Sequence, residues 1–495
     1  MAEKHKNPDT AAAADADTAA DADKTADGPT KADDPPTLFG TSGIRGPIGE
    51  TVTAGTALAV GRAVASAGAE SVVLGRDART TGGLLADTVA AGVRECGTDV
   101  VDLGAVSTPT VARFVAVTNA DAGIVVTASH NPPQDNGIKL WESDGRAFGT
   151  ERRRRIERII HEEDFEFASW EEVGQRSQRR QAALDHHRER LVSVASDRGD
   201  GVADCTVVVD VGNGMGGITA RALHEAGCQV QTLNGEPDGR FPGRASEPTP
   251  ETCTALRMLV AGTDADFGIA HDGDADRMLA VDENGRFVPG DQLLALFATD
   301  AAEDGDTVAA PLNTSLAVER ALADVGAELS RTRVGDVHVA RRAVEDGAAF
   351  AGEPSGSWIW PDETTFPDGP LAACKLAAFA GERGSIADAV DALPRSTITR
   401  DIVSLETEDQ ADDADRIIGA ATSTARQRFD SVSTLDGLRV TTDEGWFLVR
   451  ASGTQPLIRL TAEGETDDQS EMLLDRARTT VMGAIDEAAP EVQRE

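Results

Sequence analysis

Asp272, Asp274 and Asp276, at alternate positions in HDGDADR, are the densest chemistry-bearing group in the chain. On extended backbone, alternate side chains share one face. Three carboxylates on one face repel unless a cation sits among them, so the spacing implies a hard metal ion bound through oxygen. An EF-hand calcium loop would also place Glu283 at its twelfth position. Its sixth position, however, is Arg277 where that loop needs Gly, and the flanks DFGIA and MLAVD read as strands. A solvated acidic run is the blander alternative in so acidic a chain.

The stretch TASHNPPQDNGIKL, residues 127–140, sets Ser129 beside His130 and brings Lys139 nine residues after the His. A Ser–His hydrolase would use His130 as base. Neighbouring side chains on extended backbone point apart, which places His130 badly for that role, and the chain has no G-x-S-x-G elbow. A Ser near metal-binding carboxylates and arginines suits phosphoryl transfer, in which metal, Arg and Lys position and neutralise charge. Pro132 and Pro133 are expected to end the preceding apolar strand, since Pro lacks a ladder donor. Lys139 and Lys375 are the two lysines beyond the N-terminal tail. Arg, with its very high pKa, could not easily replace Lys139 in proton transfer.

Other motifs are weaker alone. RASGTQPLIR offers Arg450, Ser452, Thr454 and Arg459 around Gly453, a set suited to phosphate. GEPSGS supplies Glu353, Ser355 and Ser357, and Glu could accept bonds from sugar hydroxyls. FGTSGIRG and GRDART contribute Arg45, Arg76 and Arg79. DVGNGMGG contains Gly212, Gly214 and Gly217, with Glu236 near the end of the next strand. That is the dinucleotide fingerprint and the basis of a rival reading, an NAD-dependent oxidoreductase. The same pattern arises wherever a strand turns tightly into a helix.

The elements that must position these residues form three similar runs of strand, helix, strand, helix, strand. The runs begin at SVVLGRD, CTVVVDVGNG and DTVAAPLNTS. Strands alternating with helices imply an α/β fold with mainly parallel sheets, which bind ligands at the carboxyl ends of their strands. The loops Ser129–His130, Asp272 to Asp276 and Glu353 to Ser355 therefore occupy equivalent places, and meet if the modules share one cleft. RRQAALDHHRERLVSVAS reads as a helix joining the first two modules, and GWFLVR, LIRLTAE and a last helix from about Asp467 read as a smaller α+β domain. The expected divisions are a disordered acidic tail (1–36), α/β domains at 37–180, 181–286 and 287–398, and an α+β domain at 399–495.

A chain of 495 residues is too long for one core, and its 40% hydrophobic content suffices for several. It has no run of about 18 apolar residues that would span a membrane and no signal-peptide pattern. Its five scattered cysteines read as thiols in a reducing cytoplasm. The net charge of −38, with Arg largely replacing Lys, suggests work in concentrated salt, as in halophiles. No basic footprint for nucleic acid is visible.

In order and spacing, FGTSGIRG, TASHNPPQDNGIK, DGDADR, GEPSG and RASGTQPLIR closely resemble the α-D-phosphohexomutase family, over about residues 38 to 465. The resemblance implies four domains around a cleft. It also implies a phosphorylated Ser129, Mg²⁺ held by Ser129, Asp272, Asp274 and Asp276, and a hexose 1,6-bisphosphate intermediate between hexose 6-phosphate and hexose 1-phosphate. Arg45, His130, Lys139 and Arg277 would surround the reacting groups, with Lys139 or His130 as general acid/base. Glu353 and Ser355 would hold sugar hydroxyls, and Arg450, Ser452, Gly453, Thr454 and Arg459 the non-reacting phosphate. Two positions depart from the family pattern: Ser357 replaces a common His, and Gln455 a common Glu. GEPSGSW looks most like the loop of archaeal phosphoglucosamine mutases, with mannose and glucose phosphates as alternative substrates. Partners would be small hexose phosphates, for a monomer or homodimer. A non-catalytic sugar-phosphate sensor is the alternative outside enzymes.

Overall fold

The computed structural model describes residues 38–40, 43–405, 414–451 and 457–488. The N-terminal tail and the loop holding Ser452, Gly453 and Thr454 lie outside the described residues.

Among the described residues the strands form four sheets. The first holds β1 (Ile44–Pro47), β2 (Ser71–Arg76), β3 (Asp99–Ala105), β4 (Ala122–Val126), β5 (Asp135–Glu142) and β6 (Arg176–Gln178), in the order β1-β5-β4-β2-β3-β6. The second holds β7 (Thr206–Asp210), β8 (Gln229–Leu233), β9 (Phe267–His271) and β10 (Met278–Asp282), in the order β10-β9-β7-β8. The third holds β11 (Thr307–Pro311), β12 (Glu328–Thr332), β13 (Phe350–Glu353) and β14 (Ser357–Ile359), in the order β12-β11-β13-β14.

One four-strand plan recurs in all three. Three parallel strands are followed by a fourth that returns antiparallel to the third. The parallel centres are buried on both faces; they are β-branched in AGIVV of β4 and TVVVD of β7 and alanine-rich in TVAAP of β11. The loop between third and fourth strands is where each module carries its polar motif.

The returning strands correct the expectation of modules that end on a loop. Lys139 lies on β5, paired with Val125. Pro132 and Pro133 do not end β4, which stops at Val126; they occupy the turn before β5.

The fourth sheet is antiparallel: β15 (Thr397–Ser404), β16 (Ser431–Ser433), β17 (Leu438–Thr442), β18 (Gly445–Ala451) and β19 (Leu457–Gly464), in the order β15-β19-β18-β17-β16. One face packs on helices Ala414–Arg426 and Asp467–Ala488 through Phe447, Val449, Ile458 and Leu460. The second and third sheets and helix Arg180–Ser196 share one apolar core that includes Phe350 and Trp358. Among the described residues no helix is long and apolar enough to cross a membrane.

Candidate active site

The three equivalent loops meet, and each contains a left-handed residue: Ser129 (φ 50), Ala275 (φ 59) and Gly356 (φ 99). For a residue with a Cβ this conformation costs about 1–2 kcal/mol, and such strain concentrates at functional sites. The left-handed turn corrects the expectation for His130. Ser129 is not extended, and its Oγ lies 3.3 Å from His130 Nδ1.

Ser129 Oγ also donates to Asp272 Oδ2 at 2.6 Å and lies 3.5 Å from Asp276 Oδ1. Ser129 is 1% exposed. The loop behind it is held by Arg79, itself 1% exposed, which pairs with buried Asp77 at 3.1 Å. Its guanidinium donates to the carbonyls of Ser129 (2.9 Å), Asn131 (2.6 Å), Pro132 (2.6 Å) and Asp135 (2.8 Å). Thr127 Oγ1 donates to Asp77 and accepts from Ser129 N. GRDART was a weak motif in the sequence because all four carbonyl partners of Arg79 are distant along the chain.

From the second module, Ser246 Oγ donates to the Ser129 carbonyl at 2.9 Å. A Cβ on Gly273 would come 2.7 Å from that same carbonyl oxygen, so the close approach of the two loops requires glycine there. The G-x-G-x-x-G stretch has a similar explanation: a Cβ on Gly214 would lie 2.6 Å from the Gly273 carbonyl. Gly214 thus admits the backbone of the acidic loop, a use that does not need a dinucleotide.

Asp272, Asp274 and Asp276 are at most 5% exposed, and one oxygen from each falls within 4.8 Å of the others. Burial, then Asp276 and Asp274, push the Asp272 carboxyl well above its ordinary range. Burial and Asp274 likewise raise Asp276. Burial would also raise Asp274, but Lys139 and Thr108 outweigh it and hold this carboxyl below its ordinary range. Lys139 Nζ donates to Asp274 Oδ2 at 2.8 Å and to Asp276 Oδ2 at 2.5 Å. Asp274 Oδ1 is buried with no donor, an orphaned anionic oxygen of the kind a cation satisfies. An all-oxygen donor set of this kind fits a hard divalent ion.

The remaining predicted residues ring this cluster. Burial opposes the charge on Lys139, but Asp274 and Asp276 outweigh it and keep the ammonium raised. Burial, then Arg277, Arg45 and Lys139, push the His130 imidazole down to about 2. Arg45, on β1 opposite Gly137, has a buried Nε without an acceptor. Arg277 N donates to Asp272 Oδ1 at 3.2 Å.

The tips of the second and third sheets join where Met278 N donates to the Gly356 carbonyl at 2.9 Å, which brings the Glu353 loop alongside. Glu353 is buried; its Oε1 accepts from Gly335 N at 2.7 Å and its Oε2 from Ser355 Oγ at 3.3 Å. Adjacent Val334 N donates to Asp436 Oδ2, which pairs with Arg450 at 3.0 Å. Arg450 and Arg459 stand directly opposite on β18 and β19. Like charges so placed repel unless an anion lies between them. Ser452, Gly453 and Thr454, between these strands in the sequence, are outside the described residues.

Comparison with known proteins shows the family. Family models described as phosphoglucomutase/phosphomannomutase, alpha/beta/alpha domains I, II and III, match residues 36–167, 184–285 and 289–396, and the C-terminal domain model matches 403–479. A Methanopyrus kandleri protein named "Probable phosphoglucosamine mutase" is 42% identical over 454 residues, covering 91% of this chain and 98% of its own. A Methanothermobacter thermautotrophicus protein of the same name is 42% identical over 445 residues, covering 89% and 97%. The crystal structure of a phosphoglucomutase/phosphomannomutase family protein from Burkholderia thailandensis superposes with a TM-score of 0.79 at 30% identity, covering 91% of this chain and 98% of that one. The chain belongs to the phosphoglucomutase/phosphomannomutase family and is an isomerase of the phosphohexomutase class.

Proposed function

We propose that Ser129 is the phosphoryl carrier and that the enzyme interconverts glucosamine 6-phosphate and glucosamine 1-phosphate through a bisphosphorylated hexose. The observation that carries this reading is the 2.6 Å bond from Ser129 Oγ to Asp272, beside the orphaned Asp274 Oδ1. Asp272, Asp274 and Asp276 would hold Mg²⁺ together with an oxygen of phosphorylated Ser129. When bound, the ion neutralises charge on the transferring phosphoryl group.

In the forward step a free sugar hydroxyl forms a bond to phosphorus and the bond from phosphorus to Ser129 Oγ breaks, while the Lys139 ammonium gives a proton to Ser129 Oγ and takes up the hydroxyl proton. Lys139 is suited to that role because it shares Asp276 with Ser129. The His130 imidazole, pushed down by burial and the cations around it, is a poor base, and its Nδ1 lies beside Ser129 Oγ. The bisphosphate then presents its other phosphate to Ser129. Arg45 and Arg277 flank the reacting groups. Glu353 and Ser355 take sugar hydroxyls, and Arg450 and Arg459, with Ser452, Gly453 and Thr454, anchor whichever phosphate is idle. The choice of aminosugar rests on relatives at 42% identity that carry the phosphoglucosamine mutase name.

Two outcomes follow for assay. Chelation is expected to lower kcat by about 10³-fold, the effect of losing several kcal/mol of charge stabilisation, and added Mg²⁺ to restore it. Undiminished turnover in excess chelator would contradict the metal role.

Burial, then Asp336, push the Glu353 carboxyl up to about 7. It is neutral below that pH and ionised above it, and the ionised form favours the ammonium at C2 of glucosamine. Accordingly kcat/KM for glucosamine phosphate should rise through pH 7 more steeply than for glucose phosphate, and Glu353→Gln should remove the difference. Parallel pH profiles in the wild type would count against aminosugar recognition by Glu353.

A further inference from the structure

A set of buried side chains behind the acidic loop has no part in the steps above. Asp274 Oδ2 accepts from Thr108 Oγ1 at 2.6 Å as well as from Lys139, and the Asp274 carbonyl accepts from Thr108 N at 3.0 Å. The other carboxylate oxygen, Oδ1, is buried and has no donor. Two donors on one oxygen fix the plane of the carboxylate and leave Oδ1 as the oxygen free for a cation.

Thr108 opens helix Thr108–Thr118, and that helix is itself locked in place. Thr110 Oγ1 lies 2.8 Å from His187 Nδ1, and His187 Nε2 lies 3.2 Å from Asp368 Oδ2. Arg113 Nε donates to the same Asp368 oxygen at 2.6 Å. Asp368 Oδ1 accepts from Leu371 N and so caps helix Gly369–Arg383. A Cβ on Gly369 would come 2.5 Å from the Arg277 carbonyl and 2.8 Å from that of Ala275. Thr108, Thr110, Arg113, His187 and Asp368 are all at most 7% exposed. The acidic loop is thus gripped by the first turns of two helices, and Asp368 ties those helices together.

We infer that Thr108 is a positioning residue for the cation. Its hydroxyl holds Asp274 as a one-oxygen ligand, and the Arg113–Asp368–His187 lock keeps its helix in register with the acidic loop. The inference rests on the metal-binding reading of the triad. Outer partners of metal ligands typically change affinity or activity by about 10–100-fold when removed. A threonine that merely packed would be replaced by valine, of nearly the same shape, without such a change.

The test is titration of the full-length protein with Mn²⁺ alone, followed by calorimetry and by the Mn²⁺ electron-spin signal, in wild type, Thr108→Val and Thr108→Ser. The wild type should bind one Mn²⁺ per chain. Thr108→Val should bind it about 10–100-fold more weakly, and Thr108→Ser, which keeps the hydroxyl, should recover most of the loss. In turnover, Thr108→Val should need more metal for half-maximal rate, with KM for sugar phosphate unchanged. If Thr108→Val does not fold, Thr108→Ala carries the same comparison. Wild-type Mn²⁺ affinity in the hydroxyl-free variant would overturn the inference while leaving the metal site intact. Failure of the wild type to bind Mn²⁺ would overturn the metal reading and this inference with it.

Discussion

Ser129→Ala is expected to lower mutase turnover by about 10⁴-fold or more, the scale of loss when a covalent nucleophile is removed. The fold should survive. Ala and Ser meet similar strain in the left-handed conformation at φ 50, and the lost bond to Asp272 should cost about 1–3 kcal/mol. The three carboxylates and both arginine groups remain, so sugar-phosphate binding should persist. A coupled assay of hexose 1-phosphate formation, with a thermal melt as control, reads both effects. Substantial activity in this variant would rule Ser129 out as carrier.

Arg79→Met should destabilise the protein by about 3–5 kcal/mol, the usual result of stranding one member of a buried ion pair. Asp77 would be left buried, where desolvation already pushes its carboxyl up to about 6 against the opposing effect of Arg79. Four carbonyls of the Ser129 loop would lose the guanidinium that ties them together. Arg79→Lys should not rescue, because an ammonium offers three donors where the guanidinium offers five in a fixed fork. Urea unfolding measures the loss; a shift under about 1 kcal/mol would show that the loop holds without Arg79.

The repeated modules are legible because their central strands are buried on both faces and read as continuous apolar runs, β-branched in AGIVV and TVVVD and alanine-rich in TVAAP. That pattern places Ser129, Asp272 to Asp276 and Glu353 at equivalent points. The returning strands were harder to see. Asp135–Glu142 opens on Asp-Asn-Gly, which reads as a turn, and β14 has only three residues. The left-handed backbone at Ser129 could not be read at all, since no glycine marks it, and with it went the position of His130. Arg79 and Thr108 act on partners 50 to 56 and 166 residues away, respectively, beyond the reach of any local pattern. The glycines at Gly212, Gly214 and Gly217 fit two uses equally well in sequence. In the structure the acidic loop packs against Gly214, and the Arg244 guanidinium lies beside Gly212.

Intact-mass measurement with peptide mapping tests the central claim most directly. Protein loaded with hexose 1,6-bisphosphate should carry a species about 80 Da heavier, the mass of one phosphoryl group on a Ser hydroxyl. The modification should map to Ser129, and a labelled phosphoryl group there should pass into the sugar phosphate when glucosamine 6-phosphate is added. Full turnover with Ser129 never phosphorylated, or a modification that maps elsewhere, would contradict the account.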